Sequence, residues 1–349
     1  MKSCMPNSRV RGQQAVRLLI LGGHGFVGRH IVETALGRGF HVTTFSRGRS
    51  PNRFGAQVEA LHGDRRASLA ALTGRTWDAV VDTCGYYPSA VEASSRSLRH
   101  QVEAYAFVSS LSAYPDHSRS GVDESDPAAW PVGQDDGEEA WSYGRRKAEC
   151  ERVVREAFPR SHLITRLGLA VGPHDMTGRF NYWLCRFRRG GEVLVPAPPM
   201  EPVQLIDARD HAAFLLDQLE RREYGTYNAT SPPGLLSMKD VLEATARATA
   251  ASPAVSWVDP HFLLSYHARP WTDLPLWRGT SAETQGTMLF STTKAQVAGL
   301  RVRPLYSTAM DIVAAGVPPE DPGRLSHVLE RLILCAADEE GAIVQRDRR

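Results

Sequence analysis

The chain has 349 residues, 42% of them hydrophobic, and a formal net charge of +2 from 41 basic and 39 acidic side chains. That length supports one large domain or two that share an interface, and the balanced charge without a long basic run argues against a nucleic-acid surface. The five cysteines, Cys4, Cys84, Cys150, Cys185 and Cys335, are scattered and never form a C-x-x-C pair, which excludes a disulfide framework or a zinc site and predicts a reducing, cytoplasmic setting.

In chain order, residues 1–15 are polar, lack an apolar stretch and read as a flexible leader. No run approaches the length of a membrane helix. "VRLLILGG" (16–23) is an apolar run ending in glycines, as a buried parallel strand does, and "FVGRHIVETALGRG" continues with apolar residues at helical spacing. Further strands are predicted at 41–47, 57–64, 77–85 and 104–110, with helices between most of them. The acidic, Pro- and Gly-rich stretch 113–139 reads as a solvated loop near a pocket mouth. A helix is predicted over about 140–158, then a sixth strand ending at Pro173. The texture after Pro173 becomes aromatic and loop-rich.

This alternation predicts an α/β fold, a Rossmann-like doubly wound parallel sheet over 16–173. A smaller subdomain for substrate is expected over 174–337, interwoven with the sheet, and 338–349 reads as a frayed charged tail.

"GGHGFVG" sets Gly22, Gly25 and Gly28 between a predicted strand and a predicted helix, with Phe26 and Val27 opening that helix. Glycines there let a pyrophosphate approach the free N–H groups of the helix N-terminus. At the end of the second strand, where an acid would mark NAD by bonding the ribose, stand Ser46, Arg47 and Arg49. A guanidinium suits a 2′-phosphate, so Arg47 favours NADP(H), with NAD(H) the alternative. Asp64 either meets the adenine edge or caps the following helix.

Only four lysines occur, and Lys147 lies one helical turn after Tyr143. With ten tyrosines, this spacing arises by chance about 0.1 times in such a chain. An ammonium near a phenol stabilises the phenolate and suits the tyrosine to acid/base work.

Gly22/Gly25/Gly28, "FVSSLSAY", Tyr143-x-x-x-Lys147 and "TRLGLAVGP" together resemble the extended short-chain dehydrogenase/reductase family, also called the NAD-dependent epimerase/dehydratase family. The likeness covers about 16–230, more loosely to about 315. It implies that Tyr143 exchanges a proton with the substrate, that Ser110 bonds the reacting oxygen with Ser112 as its competitor, and that Lys147 holds the nicotinamide ribose and tunes Tyr143. It also implies a homodimer through the helix bearing Tyr143. In the family's 4,6-dehydratases an Asp-Glu pair follows the strand-five hydroxyl; here Leu111 and Ser112 stand there.

Substrate-side candidates are Cys84, Tyr86 and Tyr87 after strand four, then His174, Asp175, Arg179 and Asn181, and lastly Gln204. Asp207 and Arg209 are either substrate groups or an internal ion pair, and Arg179 and Arg278 are possible anion anchors. Residues 270–279 form a lid or core. The expected activity is an NAD(P)-dependent epimerase, dehydratase or reductase acting on a hydroxyl or carbonyl of a sugar, nucleoside or nucleotide-sugar. His174, Asp175 or Cys84 is the candidate second acid/base. The rival is a non-catalytic nucleotide sensor or RNA-binding protein on the same fold.

Overall fold

The computed structural model describes residues 15–49, 52–128, 130, 137–138, 141–317 and 324–347; the expected leader therefore lies almost wholly outside the described residues. The first apolar run is strand β1 (Arg17–Leu21). It is followed by β2 (His41–Ser46), β3 (Val58–His62), β4 (Trp77–Asp82), β5 (Val102–Ser110) and β6 (His162–Leu167). These join the strand Gly225–Ala229 in a seven-stranded sheet whose spatial order is Gly225–Ala229, β6, β5, β4, β1, β2, β3. Every pairing in it is parallel.

Both faces of β1 are buried, which explains its unbroken apolar run. Leu18 and Ile20 pack in one core with Ile31 of helix α1 (Phe26–Gly37) and Phe214 of the helix Ala208–Arg221. Leu19 and Leu21 pack on the other side with Val91 of α2 (Pro88–Leu98) and Val154 of α3 (Tyr143–Ala157). The order of connection reverses at β1: the chain runs outward from β1 to β2 and β3 on one side, then crosses back to β4 on the other. A crevice opens there at the carboxyl ends of the strands.

A second core is built around Phe180, Trp183, Leu242 and Trp257. Its small sheet pairs Glu192–Pro196 with Ala254–Val258. The helix Ala208–Arg221 and the strand Gly225–Ala229 return to the large sheet, although both follow Pro173. The tail differs from expectation. Helix His327–Glu339 leads into a strand, Ile343–Asp347, that pairs antiparallel with Ala254–Val258. Backbone pairing, with the Trp257 indole donating to Asp347 (2.9 Å), holds a segment whose charge alone suggests fraying. Among the described residues no helix is long and apolar enough to cross a membrane.

Candidate active site

The crevice is a cleft of about 870 Å³ bounded by the glycine loop, the ends of β4, β5 and β6, and segments around 177–179, 271–272 and 287–290. Each loop glycine has a different reason to be there. Gly22 has φ +89°, and a Cβ on it would stand 2.6 Å from Thr83 Oγ1. A Cβ on Gly28 would stand 2.3 Å from Gly22 O. Gly25 has an ordinary φ of −73°, and a Cβ there would meet nothing nearer than Gly22 O at 3.7 Å. The protein's own packing therefore gives no reason for glycine at 25; an approaching ligand does. Phe26 and Val27 line the cleft beside it. The loop fits a dinucleotide pyrophosphate.

This distinction yields an expected outcome. Gly25→Ala should cost the apoprotein at most about 1 kcal/mol, the loss of a favourable N-cap, yet weaken dinucleotide binding. Gly28→Ala should lower thermal stability as well, because Gly22 O must move. Thermal melts and cofactor titration of both variants check this.

Ser110 ends β5, and its Oγ accepts the Ser112 N–H (3.1 Å), which turns the chain into a short 3-10 helix. Ser110, Ser112 and Tyr143 all line the cleft. Tyr143 opens α3 behind the cap Ser142, and Gly144 lets α3 lie against Ser112 O, where a Cβ would come to 2.1 Å. Burial pushes the Tyr143 phenol above its usual pKa, while a Ser110 hydrogen bond and the Arg179 and Arg146 charges pull it back.

Lys147, expected to tune that phenol, is held by backbone carbonyls. Its ammonium is 2% exposed and donates to Val108 O (2.7 Å) and Gly85 O (3.0 Å). A buried ammonium needs oxygen acceptors, and these carbonyls supply them. Burial lowers its pKa. One turn further on, Glu151 accepts from Ser109 Oγ (2.6 Å) and from Arg166 Nη2 (2.8 Å). Tyr143, Lys147 and Glu151 are spaced four apart, so one face of α3 is pinned to β5 at two successive turns. That ladder presents Tyr143 beside Ser110.

At the end of β2, Arg47 and Arg49 are exposed and have no ion-pair partner among the described residues. Arg53 lies close enough to His24 to lower the imidazole pKa after burial, and His24 packs against Phe54 at 6.0 Å between ring centroids. Asp64 closes a turn and caps no helix, since the next helical residues are Ala70–Leu72 behind Leu69. It is exposed and accepts the Arg66 N–H (3.0 Å).

On the substrate side, Cys84, Tyr86 and Arg179 line the cleft. Arg179 has no ion-pair partner among the described residues. Burial and the adjacent Asp82 push the Cys84 thiol up to about 11, so it keeps its proton near neutrality and makes a poor base. Tyr87 does not line the cleft; the guanidinium carbons of Arg66 and Arg146 stand 4.6 and 5.1 Å from its ring centre. His174 also lies outside, with φ +69° and its ring stacked on His30 of α1. Asp175 is buried and accepts the Thr177 N–H (2.7 Å), while Asn181 donates to Asp175 O (2.9 Å). These two hold the loop that carries Thr177 and Arg179. Gln204 reaches the cleft wall, but its amide is spent on Ser231 O, Phe290 O and Phe290 N. Asp207 and Arg209 form the internal ion pair (2.6 Å), and Arg278 pairs with Glu201.

Several lining residues escaped the sequence reading: Thr83, His117, Thr287, Met288, Phe290 and Arg324. The stretch expected as a solvated insertion is in its first half a wall. Gly121 N–H donates to Leu289 O, Ser291 N–H to Val122 O, and Gly286 N–H to His117 O. His117 Nε2 faces Tyr114 O (3.1 Å) and Nδ1 faces Thr287 Oγ1 (3.3 Å), so both nitrogens are engaged. The segment 270–279 divides: Trp271 and Thr272 line the cleft, and Trp277 is core. Arg324 donates to the carbonyls of Trp271, Thr272 and Thr177 across the opening. Among the described residues no Asp or Glu lines the cleft.

Comparison with known proteins agrees with this arrangement. No curated protein matches the chain. Among solved structures, the fold is similar to that of the Bordetella bronchiseptica enzyme WbmH in complex with NAD+, at 16% identity over 86% of this chain and 98% of that one, TM-score 0.63. It is similar to the UDP-Glc/GlcNAc 4-epimerase of Campylobacter jejuni, at 15% identity over 86% and 99%, TM-score 0.64. It is similar also to the UDP-glucuronic acid 4-epimerase of Bacillus cereus in complex with NAD, at 14% identity over 86% and 98%, TM-score 0.60. The model of the NAD dependent epimerase/dehydratase family matches residues 18–230, well over half of the chain. The chain belongs to the NAD dependent epimerase/dehydratase family, whose members are enzymes of the extended short-chain dehydrogenase/reductase type.

Proposed function

We propose that this enzyme inverts a single carbinol centre of a nucleotide-sugar through a transient ketone, with Tyr143 as acid/base and Ser110 bonding the reacting oxygen. One observation carries the choice of reaction: the cleft holds Tyr143 and Ser110 but no carboxylate among the described residues. Abstracting a carbon-bound proton next to the ketone, as dehydration requires, needs a second base. Asp175 is turned into its own loop, His174 lies outside the cleft and Cys84 holds its proton, so none of the three expected candidates supplies one.

The glycine loop would hold the pyrophosphate, and the exposed, unpaired Arg47 supports a 2′-phosphate, hence NADP(H). When bound, a nicotinamide supplies a reversible hydride acceptor. Tyr143 takes the hydroxyl proton as the carbinol becomes a ketone and returns it to the other face's product; Ser110 orients the oxygen throughout. Arg179, in the cleft and close enough to act on the Tyr143 phenol, anchors an anionic group of the substrate. The solved relatives named for UDP-sugars support a nucleotide-sugar as the substrate class.

Turnover of UDP-glucose or UDP-N-acetylglucosamine in D2O tests the reaction. Product without carbon-bound deuterium is expected; deuterium at carbon would show proton abstraction and overturn the proposal. The Arg47 contact is checked by titration. The enzyme should prefer NADPH to NADH by about 10–100-fold, the range for a charge-assisted bond of about 1.5–3 kcal/mol, and Arg47→Asp should reverse the order. A reductase reading gains ground if NADPH exchanges freely and is consumed stoichiometrically.

A further inference from the structure

Asp82 is the last residue of β4 and is fully buried. Arg65, in the turn after β3, meets it through both guanidinium arms: Nη1 donates to Oδ1 (2.7 Å) and Nη2 to Oδ2 (2.8 Å). Nη2 also donates to Ser94 Oγ of α2 (2.5 Å), and the Tyr105 hydroxyl of β5 donates to Asp82 Oδ2 (2.8 Å). Burial disfavours the carboxylate; the Arg65 guanidinium outweighs it and holds the Asp82 pKa below its usual value. Burying an ion pair is a poor route to stability, since apolar side chains of the same volume often serve as well. This pair has a geometric consequence instead. Asp82 Oδ1 accepts the Cys84 N–H (3.0 Å), which bends the chain at the cleft wall.

The bent turn touches both halves of the candidate site. At one end Thr83 Oγ1 donates to Leu21 O (2.9 Å) and lies 3.1 Å from Gly22 O, at the head of the glycine loop. At the other, Gly85 O accepts from the Lys147 ammonium (3.0 Å), one helical turn along α3 from Tyr143. Gly85 is pressed against Phe107, whose ring a Cβ would strike, so the turn cannot shift that way. We propose that Asp82 and Arg65 are positioning residues for the dinucleotide: the pair sets the turn 83–85 so that one short segment fixes the glycine loop at one end and Lys147 at the other. Neither side chain lines the cleft, so both act through the turn. The inference rests on the reading of the cleft as a nicotinamide dinucleotide site.

The test is titration of the purified full chain with NADPH and NADH after dialysis, beside a thermal melt. Asp82→Asn keeps the shape of the side chain and removes its charge. It should weaken dinucleotide binding about tenfold or more, the worth of a lost charge-assisted bond. With a nucleotide-sugar that turns over, kcat should fall about 10²-fold, the effect of a misplacement of about 1 Å, while KM for the sugar stays unchanged. Glu330→Gln is the structural comparator. It removes the charge from an equally buried pair, Arg186–Glu330 (2.7 Å), in the second core. It should lower the thermal midpoint as much and leave dinucleotide affinity and kcat at wild-type values. If Asp82→Asn does not fold, Arg65→Lys carries the test, because an ammonium keeps a charge beside Asp82 but cannot bond both its oxygens and Ser94 together. It should fold and weaken the dinucleotide in the same way. A folded variant of either residue with wild-type affinity and kcat overturns the inference alone, as does an equal loss in Glu330→Gln. A wild-type chain that binds neither dinucleotide overturns the underlying reading and the inference with it.

Discussion

Tyr143→Phe is expected to lower kcat by about 10²–10⁴-fold, the usual worth of a positioned acid/base group, while dinucleotide affinity stays within a factor of a few. Only the hydroxyl is removed; the ring that sits at the start of α3 remains, and the glycine loop is untouched. The pH dependence carries a second signature. Burial raises the phenol above its usual pKa, so oxidation of a carbinol, which needs the phenolate, should accelerate as pH rises through the neutral and alkaline range. The variant should lose that slope. A Tyr143→Phe enzyme with wild-type kcat would contradict the assignment and revive a nucleotide-sensing role.

Glu151→Ala is expected to destabilise the protein by about 3–5 kcal/mol, the cost of leaving a buried charge without its partner. Glu151 is fully buried, and Arg166, 2% exposed, donates to it through Nε and Nη2. Ser109→Ala removes only the 2.6 Å bond from β5 to α3 and leaves that ion pair intact. It should cost about 1.5–3 kcal/mol of stability, the range for a hydrogen bond to a charged group. Chemical denaturation of both variants checks the ordering. If Glu151→Ala unfolds at the same denaturant concentration as the wild type, the pinning of α3 described above is wrong.

The sequence made the sheet legible because each strand announces itself locally. β1 is an apolar run ended by glycines, and Gly22, Gly25 and Gly28 sit where a strand turns into a helix. The Tyr143–Lys147 pair was legible for the same reason, since four-residue spacing on a helix fixes a shared face. What Lys147 bonds was not, because the carbonyls of Val108 and Gly85 carry no side-chain signature. The wall made by 117–122 against 286–291 joins segments about 170 residues apart through backbone bonds, and no local pattern encodes it. Composition misled in the same stretch: acid, proline and glycine read as solvated loop, although Tyr114 and Val122 are core residues. Asp175, Asn181 and Gln204 stand out in the sequence as candidate substrate groups, and of the three only Gln204 lines the cleft. Their polar atoms serve the loops instead, a distinction that only partners reveal.

The central claim is that the glycine loop and the Tyr143 site serve one nicotinamide dinucleotide that is used and regenerated in each turnover. Denaturing the purified protein and identifying the released nucleotide by chromatography and mass tests it most directly. The account predicts NADP(H) at about one equivalent per chain, held because the cycle never requires its release. A protein that releases none and then binds neither NADPH nor NADH would contradict it.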